Sequence, residues 1–226
     1  MEHNRCGMLM RLPLFQGMSH GELFEVLEQV VFHFHKAEDG EVVFEQGELC
    51  DRLTFLMGGQ LVAETKATHV DLSLSEVFAP CVVIEPQSLF GKRPCYRATY
   101  TAQGGVSLLS IDKRYVYSLI SSYEIFRINL LNLLGSKVEN LYEHSWAICP
   151  QALEGRSALF IRNLCTIPQG CKVLSVKMED LASLMDDTRL NISRILNKWQ
   201  AEELVTLRRK EFVIHDLRKL LDNALR

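Results

Sequence analysis

The sequence predicts an α+β fold in three parts: a β-rich domain over residues 1–112, a long helix and hinge over 113–149, and an α-rich domain with a small β ending over 150–226. Three observations predict it. Short apolar runs of strand length, punctuated by glycine, fill the first half. After Asp112 no proline occurs for 37 residues, and the apolar spacing turns helical. Near the end, two amphipathic helical stretches are joined by only two residues and followed by two short β runs around a basic turn.

The chain has 226 residues, 47% of them hydrophobic and 23% charged, which suits one large or two ordinary globular domains. Net charge is -3, so any nucleic-acid binding must come from a local basic surface. No apolar run approaches the roughly 18 residues of a membrane span. Arg5, Arg11 and Pro13 interrupt the start too often for a signal peptide, and a cytoplasmic location is expected. Seven cysteines (6, 50, 81, 95, 149, 165 and 171) stand at irregular spacings without a C-x-x-C pair. They support neither a disulfide framework nor a four-thiolate iron–sulfur cluster.

The first part opens with Ser19, Glu22 and the apolar series Leu23, Phe24, Val26, Leu27 and Val30, a capping box leading an amphipathic helix. Strands are expected at Val30–Phe34, Glu41–Phe44, Leu53–Leu56 and Leu61–Glu64, separated by Asp39-Gly40, Gly47 and Gly58-Gly59. Tyr96–Ala102 and Val106–Ile111 bracket Gly104-Gly105 as a hairpin. Asp112 is placed to cap the central helix, in which Leu131, Leu134, Val138 and Leu141 follow steps of three, four and three. Such a seam fits pairing with a second copy of the helix, or burial in the core of a single domain. In the last part, helices are expected over Leu153–Leu164, Lys177–Met185, Thr188–Gln200 and Asp216–Leu225. A loop is expected over Cys165–Lys172, and strands at Val205–Leu207 and Phe212–His215.

The helix pair carries the chemistry. Met178, Leu181 and Met185 form one apolar side, Asp186-Asp187 the turn, and Thr188 an N-cap. In the second helix Ile192, Ile195, Leu196 and Trp199 make the apolar stripe, while Arg189, Leu190, Ser193, Arg194 and Asn197 share the opposite face. A turn this short forces a steep crossing and projects the second helix outward, as a major groove requires. Arginine there offers a fork for two guanine acceptors. The wing-tip residues Arg208, Arg209 and Lys210 supply phosphate contacts, and Lys198 is a further candidate for DNA binding. From Thr188 onward nine Lys/Arg stand against five Asp/Glu, a local charge of +4. The competing reading is a helical hairpin with a solvated polar face, and the basic turn favours DNA.

These residues resemble the cyclic-AMP receptor protein / fumarate-nitrate regulator superfamily over nearly the whole chain. Pro13-Leu14-Phe15, Gly17, Ser19 and Glu22-Leu23 are similar to its opening motif. Gly40 to Phe44, Gly47, Asp51, Leu53 and Gly59 resemble its β-roll pattern, Ile111-Asp112-Lys113 the entry to its dimer helix, and Thr188 to Leu196 its recognition helix. The resemblance implies an N-terminal double-stranded β-roll of jelly-roll type that senses an effector, a dimerisation helix, and a C-terminal winged helix-turn-helix. It implies a bacterial, homodimeric, non-enzymatic transcription regulator that binds double-stranded DNA and can meet RNA polymerase. Arg189, Ser193 and Arg194 would contact bases. Leu190 stands where a glutamate is usual, so the operator should differ, since leucine can touch a thymine methyl but accepts nothing from cytosine.

At the sensor end the resemblance points to Phe90, Gly91, Lys92, Tyr96, Arg97 and Thr99. Members that bind cyclic nucleotides carry F-G-E and then an arginine for the phosphate. Here Lys92 follows Phe90-Gly91, and Tyr96 falls at the arginine's place. Cyclic AMP is therefore not expected as effector. His33, His35, His69 and Met57 are candidate haem ligands for a gas-sensing version (nitric oxide), although His33 and His35 also fit an ordinary exposed strand face. A third reading is a regulatory module that docks a protein partner. There is no P-loop, G-x-S-x-G or H-E-x-x-H to suggest catalysis.

Overall fold

A computed structural model describes residues 2–146, 150–167 and 169–225. Cys149 and Pro168, both named in the sequence reading, lie outside the described residues. In chain order come α1 (Glu2–Leu9), α2 (His20–Gln29), β1 (Phe32–Ala37), β2 (Val42–Phe44), β3 (Arg52–Lys66), β4 (Leu72–Phe78), β5 (Val82–Ile84), α3 (Pro86–Phe90) and β6 (Thr99–Asp112). Then follow α4 (Lys113–Ser122), α5 (Glu124–Trp146), α6 (Leu153–Leu164), β7 (Lys172–Val176), α7 (Met178–Leu184), α8 (Arg189–Ala201), β8 (Val205–Arg208), β9 (Glu211–Ile214) and α9 (Leu217–Ala224). Two compact units result: Met1–Leu61 with Phe78–Ser145, and Val62–Val77 with Trp146–Arg226. Among the described residues no helix is long and apolar enough to cross a membrane.

In the first unit β6 pairs antiparallel with β1 at one end (Phe32↔Ile111 to Ala37↔Val106) and with β2 at the other (Val42↔Thr101). β5 pairs with β3 (Thr54↔Ile84). The capping box forms as the sequence predicts: the Glu22 backbone N–H donates to Ser19 Oγ at 3.3 Å, and Ser19 N–H donates to Glu22 Oε2 at 2.7 Å. Phe15, held by the short Pro13–Phe15 turn, meets Phe55 and Phe126 at ring-centre distances of 5.9 and 5.2 Å in the core.

Three expectations are corrected here. Gly58-Gly59 and Gly104-Gly105 do not end strands but lie inside the long strands β3 and β6, so no hairpin forms at either. Gly59 has φ +80°, and a Cβ on it would run into the Gly105 carbonyl. The glycines therefore serve close backbone approach within the sheet, not chain reversal. The central helix is also two helices, broken at Tyr123, whose backbone is extended (φ -118°, ψ 109°). That ring is buried, and its hydroxyl reaches Glu25 Oε2 at 3.4 Å. Asp112 occupies the N-cap position of α4 without a side-chain cap bond, because its carboxylate is drawn instead to Arg52 (3.1 Å), His33 (3.2 Å) and Arg114 (3.5 Å).

In the second unit β4 pairs with β7, β7 with β9, and β9 with β8, all antiparallel. β7 is a strand that the sequence reading did not place. Trp199, Ile192, Leu196, Leu174, Phe212, Ile214, Leu217 and Leu220 form the core with Leu72 and Leu74 of β4. Lys172 of β7 and Glu76 of β4 make an ion pair of 2.9 Å with both side chains almost fully buried. The other Glu76 bonds come from the backbone N–H groups of Thr166 (2.8 Å) and Ile167 (2.9 Å). The charge is thus neutralised and its lone pairs are satisfied, as burial requires.

Candidate nucleic-acid interface and effector site

α7 turns its apolar side inward, with Leu181 buried and Met178 and Met185 packed at the core's edge. The turn to α8 needs one left-handed residue, and Asp186 takes it at φ +49°. Thr188 then caps α8, its hydroxyl accepting from Asn191 N–H at 3.2 Å. Asp187, which the sequence marked only as a turn residue, anchors the entry. Its Oδ1 accepts from Asn191 Nδ2 (2.8 Å) and Thr188 N–H (2.7 Å), and Arg156 stands 3.4 Å from Oδ2. The Asn191 bond above all, then the Thr188 amide, holds the Asp187 carboxyl below its usual range.

The two faces of α8 separate as the spacing predicts. Ile192, Leu196 and Trp199 are buried, and Ile195 is half-buried. Arg189, Leu190, Arg194 and Asn197 are exposed, with Ser193 half-buried between them. Asn197 Nδ2 donates to Ser193 Oγ at 3.3 Å, and Arg194 Nη1 to Asn191 Oδ1 at 3.5 Å. Arg189 meets Glu179 at 3.3 Å, an exposed pair of the kind that adds about 0–1 kcal/mol and yields readily to a better anion. Lys198 is more committed: its ammonium bonds both oxygens of Glu154 at 2.9 Å, which raises its pKa, and Glu154 also accepts from Trp199 Nε1 at 2.9 Å.

The wing is the β8–β9 hairpin, with Arg208, Arg209 and Lys210 exposed at its tip and Lys210 at φ +63°. Arg189, Arg208 and Lys210 border one crevice of ≈ 340 Å³ floored by Leu181, Leu196 and Phe212. The helix and the wing thus bring their cations to a common groove.

The six residues named for the effector site differ in burial and in partners. Tyr96 is buried, its ring stacked on Phe44 at 4.3 Å, and burial, with Cys50 next, pushes its phenol pKa up. Lys92 and Arg97 are exposed, as is Gly91. Phe90 packs edge-on against Tyr117 (5.3 Å) with Lys113 Nζ 5.2 Å from its ring centre, and Thr99 Oγ1 accepts from Gln46 N–H at 3.1 Å. His33 and His35 share a face of β1 and pair with Asp112 (3.2 Å) and Glu41 (3.7 Å). Met57 is half-buried, and His69 is exposed between β3 and β4. Among the described residues no group of three or more His, Cys, Asp or Glu could hold a metal ion.

Residues 34–123 match the family model of a cyclic nucleotide-binding domain, and residues 155–222 that of a Crp-like helix-turn-helix domain. The chain belongs to the CRP/FNR family of transcription regulators. Such regulators bind DNA through the helix-turn-helix and are not enzymes. No curated protein sequence matches the chain. Among solved structures, this regulator is similar to the catabolite activator protein of Thermus thermophilus, at 18% identity over 94% of this chain and 98% of that one, with a TM-score of 0.50. It is similar also to a CRP/FNR-family transcriptional regulator from Eubacterium rectale, at 17% identity over 94% and 99%, with a TM-score of 0.53. Both likenesses are of fold.

At the sensor end of this regulator a further buried acid, Glu85, stands outside the family motif. It lies before α3 rather than after Phe90-Gly91, and is 8% exposed. Only Ser88 of α3 is a local partner; Arg97 and Ala98 just before β6, and Tyr100 within it, come from twelve to fifteen residues on.

Proposed function

We propose that this regulator acts in the cytoplasm as a homodimer. Two copies of α8 would enter successive major grooves, about 34 Å apart, on near-palindromic DNA. The effector controlling it is something other than cyclic AMP. The observation that carries this reading is the two-sided α8. A stripe with Ile192, Leu196 and Trp199 buried fixes the helix, leaving Arg189, Ser193, Arg194 and Asn197 outward beside the wing cations. Arg189 and Arg194 read bases, Leu190 (60% exposed) offers an apolar contact to a thymine methyl, Thr188, Arg208, Arg209 and Lys210 face phosphates, and Lys198 reaches one only by giving up Glu154.

Support for the dimer comes from α5, where Leu131, Val138 and Leu141 are exposed by 56–65% and Leu134 is half-buried along one seam. An exposed apolar stripe on a helix suits a second α5, which supplies a matching one. Selection from random duplex DNA tests the reading. The expected result is enrichment of an inverted repeat, together with a two-subunit mass in solution. Loss of selectivity at one base pair of each half-site is expected for Arg194→Ala, whereas a module that only docks a protein would enrich no sequence.

A further inference from the structure

Glu85 is an acidic side chain buried without a cation. Its carboxylate accepts from Ser88 Oγ at 2.7 Å, Arg97 N–H at 2.9 Å, Ala98 N–H at 3.2 Å and Tyr100 Oη at 3.0 Å. Among the described residues no Lys, Arg or His pairs with it. Two backbone amides and two hydroxyls aimed at one point form a receptor for a single small anion. Holding the anion there puts Glu85 at φ 37°, ψ 55°, a left-handed conformation that is strained for a non-glycine residue. Strain of this kind persists only where the surroundings impose it.

We propose that Glu85 is a built-in anion: it permanently fills the anion-holding nest of the 34–123 domain, so that the phosphate of a nucleotide is excluded. The domain's family model is that of a cyclic nucleotide-binding module, whose ligand brings one negative group. In this chain the carboxylate already satisfies the donors of the nest, and a second anion beside it would meet like charge in a low-dielectric interior. The inference deepens the reading that cyclic AMP is not the effector. It identifies the excluding group and restricts effectors of this site to molecules without an anion at the nest.

The test replaces Glu85 in the full-length protein. Glu85→Gly removes the carboxylate and relieves the left-handed strain, so the variant is expected to fold. Sodium acetate or formate at tens of millimolar should raise its melting temperature by several degrees over sodium chloride of equal ionic strength. The parent protein and Glu85→Gln, which keeps the nest filled, should show no such difference. Equal response of all three proteins would overturn the proposal. So would binding of 3′,5′-cyclic AMP or cyclic GMP by the unaltered chain in calorimetry, a measurement that needs no variant. Neither readout involves DNA, so failure of the operator selection and failure of this inference remain distinguishable.

Discussion

Replacing Lys172 by methionine removes one charge from a site that water does not reach. The Lys172 and Glu76 side chains are 1% and 4% exposed, and 2.9 Å separates their charged atoms. Methionine keeps most of the volume, so the loss is electrostatic rather than a cavity. Glu76 would retain only the amides of Thr166 and Ile167. Breaking a buried pair from one side costs about 3–5 kcal/mol, and the two surviving bonds argue for the lower end. At the usual urea sensitivity of about 1–3 kcal/mol per molar, a loss near 3 kcal/mol moves the midpoint down by roughly 1–3 M. Trp199 is fully buried in the same unit and reports its unfolding by fluorescence, best read in a Trp146→Phe background. Pairing Lys172→Met with Glu76→Gln should recover part of the loss, because no charge remains and the Gln carbonyl still accepts one amide. A single variant whose midpoint stays within about 0.3 M of the parent would refute the claim that this pair locks β4 onto β7. So would a double variant weaker than the single.

Acid should loosen the entry to α8. The Asp187 pKa is depressed in the folded state, so its contribution is present above the ordinary carboxylate range and lost as pH falls through the depressed value. Asp187→Asn should flatten the acid limb of a stability–pH profile, and an unchanged limb would contradict the assignment. Burial pushes the Cys165 thiol up to about 12, and raises that of Cys50. Iodoacetamide at pH 8, read by peptide mass spectrometry, should therefore mark exposed Cys81 and Cys171 well before either. Gly59→Ala should block folding, because the new methyl meets backbone, whereas Gly104→Ala, open around its Cβ position but at φ +72°, should cost only about 1–2 kcal/mol in a denaturant melt.

Much of the DNA-facing half was legible because its signals are local. A helix of α8's spacing sorts Ile192, Leu196 and Trp199 from Arg189, Arg194 and Asn197 whatever surrounds it, and Thr188 needs only the amide three residues on. The same holds for Ser19 and Glu22. Lys198 reads as one more cation of that face, and only the fold reveals Glu154 beside it. Glycine pairs misled for the opposite reason. Gly59 and Gly104 both adopt positive φ, as turn glycines do, yet whether positive φ reverses a chain or bends a strand depends on the strand opposite.

By itself the sequence determined the order of β-rich, helical and winged parts, the capped helices, and the two faces of the recognition helix, since each rests on periodicities within a dozen residues. Tertiary structure alone decided that Tyr123 breaks the central helix, that Lys172 opens a buried strand opposite Glu76, and that Glu85 meets the amides of Arg97 and Ala98 and the hydroxyl of Tyr100. In those cases the residues that satisfy a buried charge or anchor an aromatic ring lie from about a dozen to nearly a hundred positions away. Local pattern carries no record of so distant a partner, because burial of a polar group is settled only when the chain folds back to supply it.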